Sequence, residues 1–239
     1  MDPAARKRPG GEMANRPLHF IWIVDTSSSM GEDGKIQQLN EAISESLPDM
    51  QNVAHDNPFA QVLVRTVAFS SGARWHHQDP TPVSDFRWSS LSANGVTDMG
   101  RAFRLVADAL KIPPMTDRAL PPVLVLISDG MPTDDWESGL QELMAQPWGK
   151  KAVRIAIAVG ERDTELDLLQ AFTGRNENKP IVARNAPQLV RYIRWVSTEV
   201  LKSASAPSSQ GGDTPQGTNV PIPNPAPPDL GPSDVDDVW

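Results

Sequence analysis

The sequence predicts an α/β domain: a doubly wound, mostly parallel central sheet with helices on both faces and one antiparallel edge strand. Three observations predict it. Near-continuous apolar runs such as Phe20–Val24 and Val123–Ile127 read as strands buried on both faces, as in a parallel sheet covered by helices. Amphipathic segments alternate with these runs, as strand–helix crossovers require. The 239 residues are 39% hydrophobic and include no cysteine, which allows one sizeable core and excludes a disulfide scaffold, a thiolate metal site and a cysteine nucleophile.

Each element follows in chain order. Phe20–Val24 is the first strand, and Ile36, Leu39, Ile43 and Leu47 recur at helical spacing after it. Gln61–Phe69 reads as a strand, with Ala73–His76 turning back beside it through Ser70-Ser71-Gly72 as the antiparallel edge. Phe103, Val106, Ala107 and Leu110 share one helix face. Val123–Ile127 and Val153–Val159 are the next buried strands, separated by a short helix over 135–145. A second short helix spans 164–173, closed by Gly174, and Leu189, Ile193, Val196 and Val200 line a last one.

Composition divides the chain into three parts. Residues 1–16 read as a flexible basic leader with no apolar stretch after its charges, so no secretory signal is expected. Residues 17–203 are the domain. Residues 204–239 carry eight prolines, five aspartates and no Lys or Arg, and read as a disordered, proline-rich acidic tail. Net charge is −8, which argues against broad binding to nucleic acid or an anionic membrane surface. A cytoplasmic location is expected.

In a doubly wound sheet, ligands sit beyond the carboxyl ends of the strands. The loop after the first strand reads Asp25-Thr26-Ser27-Ser28-Ser29, and the loop after Ile127 reads Ser128-Asp129-Gly130. A third segment, Gly95-Val96-Thr97-Asp98, opens a helix. Asp25, Ser27, Ser29, Thr97 and Asp129 offer two carboxylates and three hydroxyls, an all-oxygen set that a hard cation takes. Two carboxylates balance a divalent charge, and weak hydroxyl donors leave positions for water. Mg²⁺ suits this set better than Ca²⁺, with Mn²⁺ a further alternative.

Asp25-x-Ser27-x-Ser29, Thr97 in Gly-x-Thr and Asp129 in Ser-Asp-Gly together resemble the metal-ion-dependent adhesion site of von Willebrand factor A domains, over roughly residues 17–203. The resemblance implies that Ser27, Ser29 and Thr97 bind the metal directly and that Asp25 and Asp129 act through water. A partner's Asp or Glu would complete the shell. Ser28 departs from the pattern, since many relatives carry Gly there. The text LISDGMPTDDW, followed by IAIAVGERDTELDLLQAFTG, is similar to bacterial TerY-type proteins of tellurite-resistance and stress operons. That likeness implies a non-enzymatic scaffold or regulatory module working with a Ser/Thr kinase and a PP2C-type phosphatase.

Other candidates are weaker. His76 and His77 are adjacent on an edge strand, so their side chains are expected to diverge. Asp134-Asp135 is expected to cap the following helix, and Asp98 to cap its own helix or stand behind the metal ligands. There is no Walker A motif, no Gly-x-Ser-x-Gly elbow and no dinucleotide fingerprint. The competing functions are a metal-dependent phosphoester hydrolase and an adaptor for a MoxR-type AAA+ ATPase. In the tail, Asp234, Asp236, Asp237 and Trp239 combine acids with an apolar anchor, the pieces of a short docking motif for a partner or for the chain's own metal face.

Overall fold

The computed structural model describes residues 15–160, 166–174, 179–206 and 220–225. Six strands form one sheet: β1 (Arg16–Asp25), β2 (Ala60–Ser70), β3 (Gly72–Pro82), β4 (Val123–Ser128), β5 (Val153–Val159) and β6 (Ile181–Ala183). Their order is β3-β2-β1-β4-β5-β6, and only the β2–β3 pairing is antiparallel. Among the described residues seven α-helices accompany them: α1 (Lys35–His55), α2 (Met99–Ala109), α3 (Trp136–Ala145), α4 (Pro147–Lys151), α5 (Leu166–Thr173), α6 (Ala186–Trp195) and α7 (Leu201–Ser205), with a 3-10 turn over Ser28–Gly34 leading into α1. A π turn, Val196–Val200, joins α6 to α7. No helix among the described residues is long and apolar enough to cross a membrane.

The strand period of two sorts side chains between two cores. From β1, Leu18, Phe20, Trp22 and Val24 enter the core beneath α1 and α6. Ile21 and Ile23 point the other way, into the core beneath α2, α3 and α5. All six residues of β4 are buried, as a strand covered on both faces requires. The chain runs outward from β1 in one direction and from β4 in the other. The crevice between their carboxyl ends is therefore the switch point of the sheet.

Four local features depart from the sequence reading. Helix α1 continues past Pro48 to His55, because Leu47, Met50 and Val53 extend its buried face and offset the missing hydrogen bond. Strand β6 is three residues long, too short for any periodicity to register. His76 and His77 do not diverge. Pairing steps from Thr66↔His77 to Val67↔Trp75, so His76 is an extra, bulged residue and the alternation breaks there. The two rings meet edge to face at 4.5 Å, and both Nε2 atoms reach the Ser89 hydroxyl, at 2.8 and 3.1 Å.

The fourth departure is in the tail. Regular structure runs to Ser205, and residues 220–225 lie against the domain without forming a helix or strand. Val220 is 3% exposed within the core beneath α1 and α6, and Ile222 packs on that core. This six-residue stretch is packed on the domain, with Val220 buried and Ile222 half-buried on either side of Pro221. The candidate docking residues Asp234, Asp236, Asp237 and Trp239 lie outside the described residues, as does residues 1–14 of the leader.

Candidate metal centre

The five candidate residues sit at the switch point. Asp25 ends β1 with no exposure, and Asp129, 2% exposed, directly follows β4. The Asp25 carboxylate accepts the Ser27 N–H on Oδ1 at 2.8 Å and the Ser128 hydroxyl on Oδ2 at 2.6 Å. Burial pushes its pKa up to about 6, against the pull of the Ser128 and Ser27 hydrogen bonds, and Asp129 nearby adds to the rise. Ser27 and Ser29 place their hydroxyls 3.0 Å apart, and the Ser29 hydroxyl donates to Asp129 Oδ1 at 2.7 Å. Four of the five residues are thereby linked in one short polar chain.

Thr97 completes the set from the loop before α2. Its N–H donates to the Thr133 hydroxyl at 3.1 Å, and its carbonyl accepts the Thr133 N–H at 2.9 Å. Gly130 gauges the space between the three loops. A Cβ placed there would stand 3.5 Å from Thr97 Oγ1, 3.6 Å from Ser29 Oγ and 4.0 Å from Asp25 Oδ2. Oxygens from three separate loops thus face one small volume that glycine leaves open. No group of three or more His, Cys, Asp or Glu side chains among the described residues is arranged to hold a metal. An ion at this point would therefore rest on hydroxyls plus two carboxylates, a donor set that fits a small hard cation retaining water.

Several residues that shape the site were not picked out from sequence. Lys35, at the start of α1, buries its side chain to 9% exposure and donates from Nζ to Asp129 Oδ2 at 2.8 Å. It reaches there because Asp33 and Gly34, at φ 51° and 72°, turn the chain sharply into α1. Ser128 and Thr133 hold Asp25 and Thr97 as described. Ser28 clamps the loop before α2 through its N–H and hydroxyl, both donating to the Gly95 carbonyl at 3.1 and 3.0 Å.

The neighbouring acids divide their work differently from expectation. Asp135 caps α3 by accepting the Ser138 N–H, but Asp134 reaches across to accept the Gly100 and Arg101 N–H groups at the start of α2. Asp98 does not cap its own helix. Its carboxylate accepts the Gly72 N–H at 2.8 Å and the Thr133 hydroxyl at 3.1 Å, tying β3 and the Thr133 loop to the Thr97 segment. Helices α2 and α3 cross with backbones in contact. A Cβ on Gly100 would strike the Asp135 carbonyl, and one on Gly139 would strike Gly100.

No protein-family model and no curated protein matches the sequence. Solved structures do. The ArnB paralog VWA2 from Sulfolobus acidocaldarius superposes with a TM-score of 0.56 at 17% identity, over 75% of this chain and 45% of that one. A von Willebrand factor type A structure from Catenulispora acidiphila gives 0.57 at 18% identity, over 79% of this chain and 43% of that one. The chain has a von Willebrand factor A fold. The pilus adhesin SpaC from Lactobacillus rhamnosus GG shares it at a TM-score of 0.65 and 15% identity, over 80% of this chain and 31% of that one. This chain therefore matches less than half the length of each of these proteins, and at such identities the likeness is one of fold. Within the von Willebrand factor A fold the β1–β4 crevice holds the candidate centre.

Proposed function

We propose that this chain is a metal-dependent protein-binding module, not an enzyme, whose Mg²⁺-loaded face grips an Asp or Glu of a partner. The observation that carries the proposal is the convergence of Ser29 Oγ, Thr97 Oγ1 and Asp25 Oδ2 around the space left by Gly130. Ser27, Ser29 and Thr97 would hold the ion through their hydroxyls, with Asp25 and Asp129 behind them; Mn²⁺ or Ca²⁺ are alternative occupants. The ion's contribution is an electrophilic position open to a carboxylate oxygen from outside. The chain's own residues do the rest. Ser128 and Ser27 orient Asp25, Lys35 orients Asp129, and Thr133 sets the Thr97 loop. Lys35 is committed to Asp129 and the Ser29 carbonyl, which leaves it unsuited to clamping a phosphoryl group and favours binding over hydrolysis.

The sequence resemblance to TerY-type proteins supports a finer reading. The module would be a cytoplasmic scaffold of a bacterial stress-response or tellurite-resistance system, with a Ser/Thr kinase and a PP2C-type phosphatase as partners. Neighbouring genes encoding that pair support this placement, whereas a MoxR-type ATPase gene favours the adaptor alternative. Calorimetric titration tests the metal. Mg²⁺ binding is expected in the wild type and is lost in Asp129→Ala, and unchanged affinity in that variant refutes the site. EDTA should release an acidic partner without unfolding the domain, and Ser27→Ala with Ser29→Ala should mimic EDTA. Magnesium-dependent turnover of a phosphoester that Asp25→Ala abolishes would replace this reading with a hydrolase.

A further inference from the structure

The edge of the sheet farthest from β3 carries a second feature. Between β5, β6 and α6 lies a cavity of about 360 Å³, walled by Arg154, Thr173, Ile181, Tyr192 and Trp195 on the domain side. Ile222, Pro223, Asn224 and Pro225 form its remaining wall. Thirteen residues separate Val220, where this segment begins, from the last described residue of the domain, Ala206. No hydrogen bond ties residues 220–225 to the other described residues, so side-chain burial, that of Val220 and half-buried Ile222, holds it there.

The fit is incomplete in a particular way. Among the described residues the Tyr192 hydroxyl makes no hydrogen bond, and the buried indole N–H of Trp195 has no acceptor. An aromatic-lined groove is the surface that an extended proline-containing peptide uses, because its rigid backbone lays apolar proline rings against the wall. Valine and isoleucine alternating with proline, as in Val220-Pro221-Ile222-Pro223, supply the apolar contacts at low entropic cost, since proline has already fixed the backbone.

We propose that the groove between β6 and α6 is a receptor for an extended apolar–Pro–apolar–Pro segment, and that Val220–Pro225 is its reversible cis occupant. The intact chain then blocks its own groove, because a tether of this length holds the segment at millimolar effective concentration. The inference does not depend on the metal reading, since none of the groove residues belongs to the β1–β4 crevice.

A protease site inserted within residues 207–219 of the full chain provides the test. The probe is a fluorescein-labelled peptide covering Gly217–Pro228, followed by anisotropy. The cleaved protein should bind the probe at least tenfold more tightly than the uncleaved protein, and a probe carrying Val220→Asp should not bind. The full chain with Val220→Asp and Ile222→Asp should gain the same binding while keeping its near-UV circular dichroism. A cleaved protein that retains its own tail fragment against a hundredfold excess of probe overturns the proposal. So does a folded double variant that binds no probe. Loss of the folded signal in both proteins likewise overturns it, since the segment would then be a permanent part of the core.

Discussion

Replacing Lys35 by methionine removes a charge and keeps most of the side-chain volume, which makes it a direct probe of the β1–β4 crevice. In the wild type the ammonium lies 2.8 Å from Asp129 Oδ2, with the two side chains 9% and 1% exposed. Removing one partner of such a pair leaves the other charge buried, at a cost of about 3–5 kcal/mol. For a domain of this size each kcal/mol moves Tm by about 2–4 °C, which places the expected drop near 10 °C in EDTA. A divalent ion in the crevice would restore the missing positive charge. Mg²⁺ at about a hundred times its Kd contributes close to 2.7 kcal/mol, so most of the lost Tm should return in the variant. The wild type should gain less, because Lys35 already opposes part of the acidic charge and competes with the ion. Thermal unfolding followed by tryptophan fluorescence, with EDTA and with Mg²⁺, gives all four numbers. A variant as stable as wild type in EDTA, or one that gains no more from Mg²⁺ than wild type does, refutes the reasoning.

Three further outcomes are expected. His19, 8% exposed in β1, has its pKa lowered to about 4 by burial and then by Arg65. The unfolded chain therefore binds the extra proton between about pH 6.5 and 4, stability falls as pH drops through that window, and about 2 kcal/mol should be lost by pH 5; His19→Gln should flatten this slope in a urea titration series, and an unchanged slope counts against it. Thr133→Val keeps the shape but removes the hydroxyl that receives the Thr97 N–H, so Mg²⁺ affinity should fall several-fold while stability changes by only about 1 kcal/mol; equal affinity would show that Thr97 needs no such support. Gly139→Val drives a side chain into the Gly100 backbone and should cost about 1–3 kcal/mol by chemical denaturation, and a neutral result would mean that α2 and α3 separate freely.

How far the sequence could be read depended on whether a signal was local. Asp25, Ser27 and Ser29 lie within five residues of one another, and a buried strand leading into an oxygen-rich turn is visible in one short window. Thr97 and Asp129 were legible because each opens or closes an element whose apolar period is clear. Lys35, Ser128 and Thr133 were not, since each acts on a residue 36 to 103 positions away, and only the folded sheet brings those pairs together. The His76–His77 reading failed for a different reason. Alternation assumes an unbroken ladder, and one bulged residue is enough to put both rings on the same side. In the tail, average composition concealed one packed apolar pair, buried Val220 and half-buried Ile222, because prolines and aspartates dominate any window containing them.

The contact between Gly100 and Gly139 has a mechanical meaning. Side chains at a helix crossing can change rotamer and absorb a small displacement, but two touching backbones have no such compliance. Asp134 adds a second tie, reaching from the segment before α3 to the first N–H groups of α2. Helices α2 and α3 are thus expected to move as one plate, with Thr97 at its leading edge. Any adjustment of that threonine must displace the whole plate, so the stiffness of the crevice is set by a surface that never touches its contents.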